Sequence, residues 1–180
     1  PAGRLRERRK GARRADAIVV TKCPANLWEA EQQRIIARIR PYTRSETPIF
    51  FAGLQYGQPV SFATHQPVAD LKNVVLVSGL ANADPLEKYV RQTFEMQKHV
   101  RFADHYAYTR TDLESVLTNL PDRSVILTTE KDWVKLDALL TAEERSVWPL
   151  YYLPVATQFL SGQESAFLAF LDNHRQLTRA

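Results

Sequence analysis

From residue 73 onward, short apolar runs alternate with stretches whose apolar residues follow a helical period. NVVLVSGL (73–80) reads as a buried strand, and 84–98 as a helix with Pro85 in its first turn. VRFAD (100–104) predicts a strand and 111–120 a helix; SVILTTE (124–130) a strand and 131–140 a helix. VWPLYYLPV (147–155) predicts a further strand and 164–177 a terminal helix. Such alternation predicts an α/β fold, a parallel sheet flanked by helices with right-handed crossovers. Before residue 73 the pattern is less regular. ADAIVV (15–20) reads as a fully buried strand, stopped by Thr-Lys-Cys-Pro. Asn26 is the expected N-cap of a helix to about Arg38, with Leu27, Ile35, Ile36 and Ile39 apolar, and Pro41 ends it. IFFAGLQYGQPVSF (49–62) places two aromatic-rich runs around Gly57-Gln58-Pro59, a hairpin signal. The polar stretch 64–72, with Pro67, marks a boundary.

Composition adds limits. The 180 residues, 44% hydrophobic and 24% charged, are those of an ordinary globular chain of one or two domains. A single cysteine, Cys23, excludes a disulfide framework and a cysteine-based zinc site and fits a reducing compartment. No apolar run approaches the ~18 residues of a membrane span, and no apolar segment of signal-peptide type follows the basic start. The net charge of +4 is uneven. Residues 1–14 (PAGRLRERRKGARR) hold seven basic residues and one acid, net +6, leaving 17 basic and 19 acidic residues, net −2, in the remainder. Dense arginine suits phosphate, on a nucleotide, a nucleic acid or an anionic lipid headgroup. A solvated tail is the ordinary alternative.

In open parallel sheets, ligands sit beyond the carboxyl ends of the strands. Those ends carry Thr21-Lys22, Ser78-Gly79-Leu80-Ala81-Asn82, Asp104-His105 and Thr128-Thr129-Glu130-Lys131-Asp132. The last three turns are expected to share one sheet edge. Each has a structural alternative: Gly79 a tight turn, Thr129 and Asp132 a capping box, His105 a loop residue stacked on Tyr106 or Tyr108. His105 is the residue suited to proton transfer or to orienting a carboxylate. His65, His99 and His174 show no metal-site spacing and read as surface residues. The sequence contains no GxxxxGK[ST], GxGxxG, GxSxG or HExxH, so these residues alone do not make a P-loop NTPase, a dinucleotide dehydrogenase, an α/β-hydrolase or a zinc protease.

PAGRLRE, ADAIVVTK, SGLAN, FADHYAYTRTDL and ILTTEKDWVKL, in that order, resemble the C-terminal portion of the tetraacyldisaccharide 4'-kinase (lipid A 4'-kinase) family. The resemblance implies transfer of the γ-phosphate of ATP, with Mg²⁺, to the 4'-hydroxyl of tetraacyldisaccharide 1-phosphate. The product is a lipid A precursor, made at the cytoplasmic face of the inner membrane of Gram-negative bacteria. It implies three regions: 1–48 as the end of a P-loop kinase domain, 49–68 as a β-hairpin linker, and 69–180 as a Rossmann-like α/β domain. The family's P-loop, catalytic aspartate and acidic Mg²⁺ motif precede PAGRLRE, so the chain is expected to lack them, to hold no metal ligands, and to be inactive alone. By the same resemblance His105 orients the catalytic aspartate, and Arg6 and Glu7 lie near phosphate or substrate. Lys22, Asp104, Thr129, Lys131 and Asp132 are possible lining residues. Residues 8–14 are expected to meet an anionic membrane surface, and no nucleic acid is expected. The competing readings are a nucleic-acid-binding module using the basic arm, which the net acidic remainder disfavours, and a stand-alone Rossmann-like nucleotide or sugar enzyme.

Overall fold

The computed structural model describes residues 8–177. After a 3₁₀ turn at Arg9–Arg14 come β1 (Ile18–Cys23), α1 (Glu29–Ile39), β2 (Ile49–Tyr56), β3 (Val60–Ser61), β4 (Val74–Ser78), α2 (Asp84–Thr93) and β5 (Met96–Arg101). They are followed by α3 (Arg110–Thr118), β6 (Val125–Thr129), α4 (Glu130–Asp137), α5 (Ala142–Val147), β7 (Leu150–Leu153), β8 (Val155–Phe159) and α6 (Gln163–Leu177). The chain forms two compact units. One is built from residues up to Gln55 together with those from Ala156 onward, the other from Tyr56–Val155. This division differs from 1–48, 49–68 and 69–180.

The second unit is a five-stranded sheet in the order β3-β7-β6-β4-β5. β7, β6, β4 and β5 run parallel, and β3 is antiparallel to β7. β4 is buried at every position, as a central strand covered on both faces must be. Alternation along it sends Val74 and Leu76 to one face, with Leu86 and Val90 of α2, and Val77 to the other, with Leu113 of α3 and Leu136 of α4. The α/β class with a parallel sheet flanked by helices is therefore as the sequence predicted. Several elements are not. β2 and β3 lie in different sheets, so 49–62 is no hairpin. The Gly57 N–H is satisfied by the Pro154 carbonyl at 2.9 Å rather than by a turn of its own. α2 stops at Thr93, because Phe94 turns extended and buries its ring in the core. The next strand accordingly starts at Met96, not Val100. The run 147–155 is broken into three pieces: the end of α5, then β7, then β8 in the other sheet.

The first unit holds the three-stranded sheet β1-β2-β8. β1 is parallel to β2 and pairs Ile18 with Ile49. It begins three residues later than expected and is only half-buried. Trp28, not Asn26, is the N-cap position of α1, and Pro41 sits in the 3₁₀ turn that closes the helix. Gly53 is required at the β1–β2 contact, since a Cβ there would stand 2.6 Å from the Cys23 carbonyl oxygen. α6 belongs to this unit: Phe167 and Phe170 pack on Phe50, and the Gln163 side-chain oxygen accepts the Phe51 N–H at 2.8 Å. Among the described residues no helix is long and apolar enough to cross a membrane.

His99 is not a surface residue. Its side chain is 4% exposed, with Nε2 2.8 Å from the Ser78 hydroxyl and Nδ1 2.7 Å from Glu87. Arg101 bonds both Glu87 and Asp84, so α2 is tied to the edge strand β5. These partners, Arg101 first and then His99, hold the Glu87 carboxyl down at about 2, and Arg110 holds Glu144 likewise at about 2. Folded values below the unfolded one mean that this stabilisation is complete above pH ~4.5 and is lost as pH falls toward 2. The urea midpoint of the second unit should therefore drop over that window. In Glu87→Gln with Glu144→Gln the drop should flatten, and an unchanged slope would contradict the assignment.

Candidate functional site

Three strand-to-helix turns of the second unit converge at the carboxyl ends of β4, β5 and β6. The turn after β6 makes the junction. Thr129 caps α4, its hydroxyl accepting the Asp132 N–H at 3.0 Å. A capping box would return the Asp132 carboxylate to the Thr129 backbone. Instead, Asp132 Oδ2 accepts the Gly79 N–H at 2.9 Å and the Thr129 hydroxyl at 2.9 Å. Asp132 is wholly buried. Thr129 and Asp132 thus do more than cap: they fasten the β4 turn to the β6 turn. Gly79 allows the close approach, since a Cβ there would meet the Tyr108 hydroxyl at 2.9 Å and the Ala103 carbonyl at 3.1 Å. Burial, with the Asp132 carboxylate second, pushes the Tyr108 phenol up. Tyr108 Oη and Asp132 Oδ1 have no well-formed hydrogen bond among the described residues.

Next to this buried lock lies an exposed one. Lys131 Nζ donates to Asp104 Oδ1 at 3.0 Å and to the Gly79 carbonyl at 3.2 Å. The lysine holds the Asp104 carboxyl below its usual range. Asp104 Oδ1 also accepts the His105 N–H at 3.0 Å, and Oδ2 stands 3.6 Å from His105 Nε2. His105 has a left-handed backbone, φ 58°, and its side chain is 82% exposed. Tyr106 and Tyr108 do not stack on it; they pack on Phe102 and on each other. The geometry presents an imidazole outward from a braced turn, where it can take or give a proton or receive a carboxylate.

A family model described as tetraacyldisaccharide-1-P 4'-kinase matches residues 1–176. The chain belongs to this family. Curated relatives named tetraacyldisaccharide 4'-kinase include that of Cytophaga hutchinsonii, 37% identical over 91% of this chain and 46% of the relative. Another, from Flavobacterium johnsoniae, is 34% identical over 95% and 48%. A third, from Parabacteroides distasonis, is 35% identical over 97% and 50%. The chain thus spans about half the length of the curated relatives it matches. Its fold is shared with a crystal structure of LpxK from Aquifex aeolicus in complex with ATP, at TM-score 0.61 and 21% identity, covering 96% of this chain and 47% of that one.

Of the residues expected from the sequence, Asp104, His105, Thr129, Lys131 and Asp132 are gathered by the structure at the converging turns. Lys22 belongs to the first unit, where it has φ 59° at an irregularity of β1. Arg6 and Glu7 lie outside the described residues. Sequence reasoning missed the buried place of Tyr108 beside Asp132 and the Ser78–His99–Glu87 chain of hydrogen bonds; the one usable signal was that Ser78 and His99 fall in the runs that become the adjacent strands β4 and β5. The donors of this unit do not fit an ATP–Mg²⁺ site by themselves. The Asp132 carboxylate is turned inward, Asp104 is engaged by Lys131, and among the described residues no group of three or more His, Cys, Asp or Glu could hold a metal ion.

Proposed function

We propose that this chain is the C-terminal part of an ATP-dependent kinase that phosphorylates the 4'-hydroxyl of tetraacyldisaccharide 1-phosphate in lipid A biosynthesis. Family membership supports the activity, and the exposed His105 on its braced turn is the observation that supports a role in the chemistry. His105 orients and tunes a catalytic aspartate carried elsewhere in the polypeptide, which takes the proton of the sugar hydroxyl. Arg6 suits the charge on a transferring phosphoryl group, and Glu7 holds that arginine or a sugar hydroxyl. ATP and Mg²⁺ are bound mainly by the half that the longer relatives have and this chain does not span; when bound there, the ion supplies charge neutralisation at the phosphates. The exposed Arg8, Arg9, Lys10, Arg13 and Arg14 face an anionic membrane surface, the cytoplasmic side of the inner membrane.

The test is an ATP-dependent 4'-phosphorylation assay on the chain alone and on the chain joined to the preceding half of the Cytophaga hutchinsonii relative. Product is expected only from the joined polypeptide. No product from the joined form, properly folded, would overturn the kinase reading. Product from the chain alone would favour a self-sufficient enzyme.

A further inference from the structure

Among the described residues, Lys131 is the one side chain that bonds two of the converging turns from the solvent side: Asp104 on the β5 turn and the Gly79 carbonyl on the β4 turn. Its bond to Gly79 duplicates a link the fold already has. Asp132, wholly buried, already fastens Gly79 to the β6 turn. The side chains of Lys131 and Asp104 are 38% and 37% exposed, and a pair that open adds little to stability. What Lys131 fixes is geometry. Asp104 Oδ1 accepts both the Lys131 ammonium and the His105 N–H, and the second bond supports the left-handed conformation of His105. That conformation is unfavourable for a residue with a Cβ and persists when its surroundings over-determine it. Lys131 also compensates the Asp104 carboxylate. Without the ammonium, that carboxylate, with Oδ2 already 3.6 Å from His105 Nε2, would draw the imidazole onto itself.

We propose that Lys131 is a positioning residue for His105, clamping Asp104 so that the imidazole stays directed outward for its own partner. The use made of that imidazole rests on the function proposed above; the clamp itself does not. Two measurements separate the claims. In this chain, the backbone order parameter of the His105 amide should fall from a rigid value near ~0.85 to below ~0.6 in Lys131→Met, while that of Gly79, held by Asp132, stays rigid. In the joined polypeptide, Lys131→Met should lower kcat by about tenfold to a hundredfold, the scale of a misplaced catalytic group, with KM for ATP within about twofold. Lys131→Arg, which keeps a cationic donor, should restore both readouts. A His105 amide as rigid in Lys131→Met as in the parent overturns the clamp, whatever the kinase assay gives. If the amide is loosened and turnover of an active parent is unchanged, the positioning role is overturned. An inactive parent leaves the order parameters to decide the clamp and counts only against the kinase reading.

Discussion

Asp132→Ala should destabilise the second unit by about 3 kcal/mol, read from its unfolding in urea. The carboxylate is wholly buried and accepts two donors, the Gly79 N–H and the Thr129 hydroxyl. Removing it strands both in a site closed to water, and each buried donor left unpaired costs about 1–3 kcal/mol. Part of this is offset, because the Thr129 hydroxyl can reorient while still accepting the backbone N–H of position 132. The Tyr108 hydroxyl, beside the carboxylate, loses a polar neighbour as well. Asp132→Asn is the control that separates hydrogen bonding from volume. Its side-chain oxygen can still accept the Gly79 N–H, so it should recover more than half of the loss. Equal losses in the two variants would mean that negative charge, not the Gly79 and Thr129 bonds, is what the site requires. A loss below about 1 kcal/mol in Asp132→Ala would mean that the three turns do not depend on this lock.

The sequence disclosed this lock only by halves. Thr129 and Asp132 have capping-box spacing, and Thr129 does cap, but spacing says nothing of Gly79, 53 positions away, where the carboxylate goes. The rule that ligands gather at the carboxyl ends of parallel strands did bring Gly79, Asp104, His105, Lys131 and Asp132 to one edge, because it depends only on the strands being parallel. The runs that became β4 and β6 were legible because central strands are apolar on both faces. β5 begins four residues before the strand read from the sequence for the opposite reason: MQKHVR lies at the sheet edge, with three intermediate and three exposed positions giving no alternation to read. His99 reads as a surface residue because a polar edge strand hides the position, opposite Leu76, whose side chain finds Ser78 and Glu87. The false hairpin at 49–62 shows that local turn residues cannot reveal which sheet each flanking strand joins. Gly57 is bonded to Pro154, nearly a hundred residues on.

His105→Asn should lower kcat of the joined polypeptide by about 10²–10⁴-fold, the range for losing a group that assists proton transfer, and leave the fold nearly untouched. The imidazole is 82% exposed and its only close side-chain neighbour among the described residues is the Asp104 carboxylate at 3.6 Å, so little packing is lost. Asparagine is also one of the few residues that tolerates the left-handed backbone seen here, and the bond from the position-105 N–H to Asp104 survives the change. The midpoint of unfolding should therefore move by no more than about 0.5 kcal/mol. The loss of turnover, by contrast, follows from removing the imidazole that this turn holds outward: an amide cannot stabilise an aspartate by becoming cationic. Asp132→Ala and His105→Asn are thus opposite cases on the same three turns, the first read in denaturant and the second in the assay. Turnover in His105→Asn within about threefold of an active parent would remove His105 from the chemistry and leave its exposed, left-handed placement a property of the turn alone.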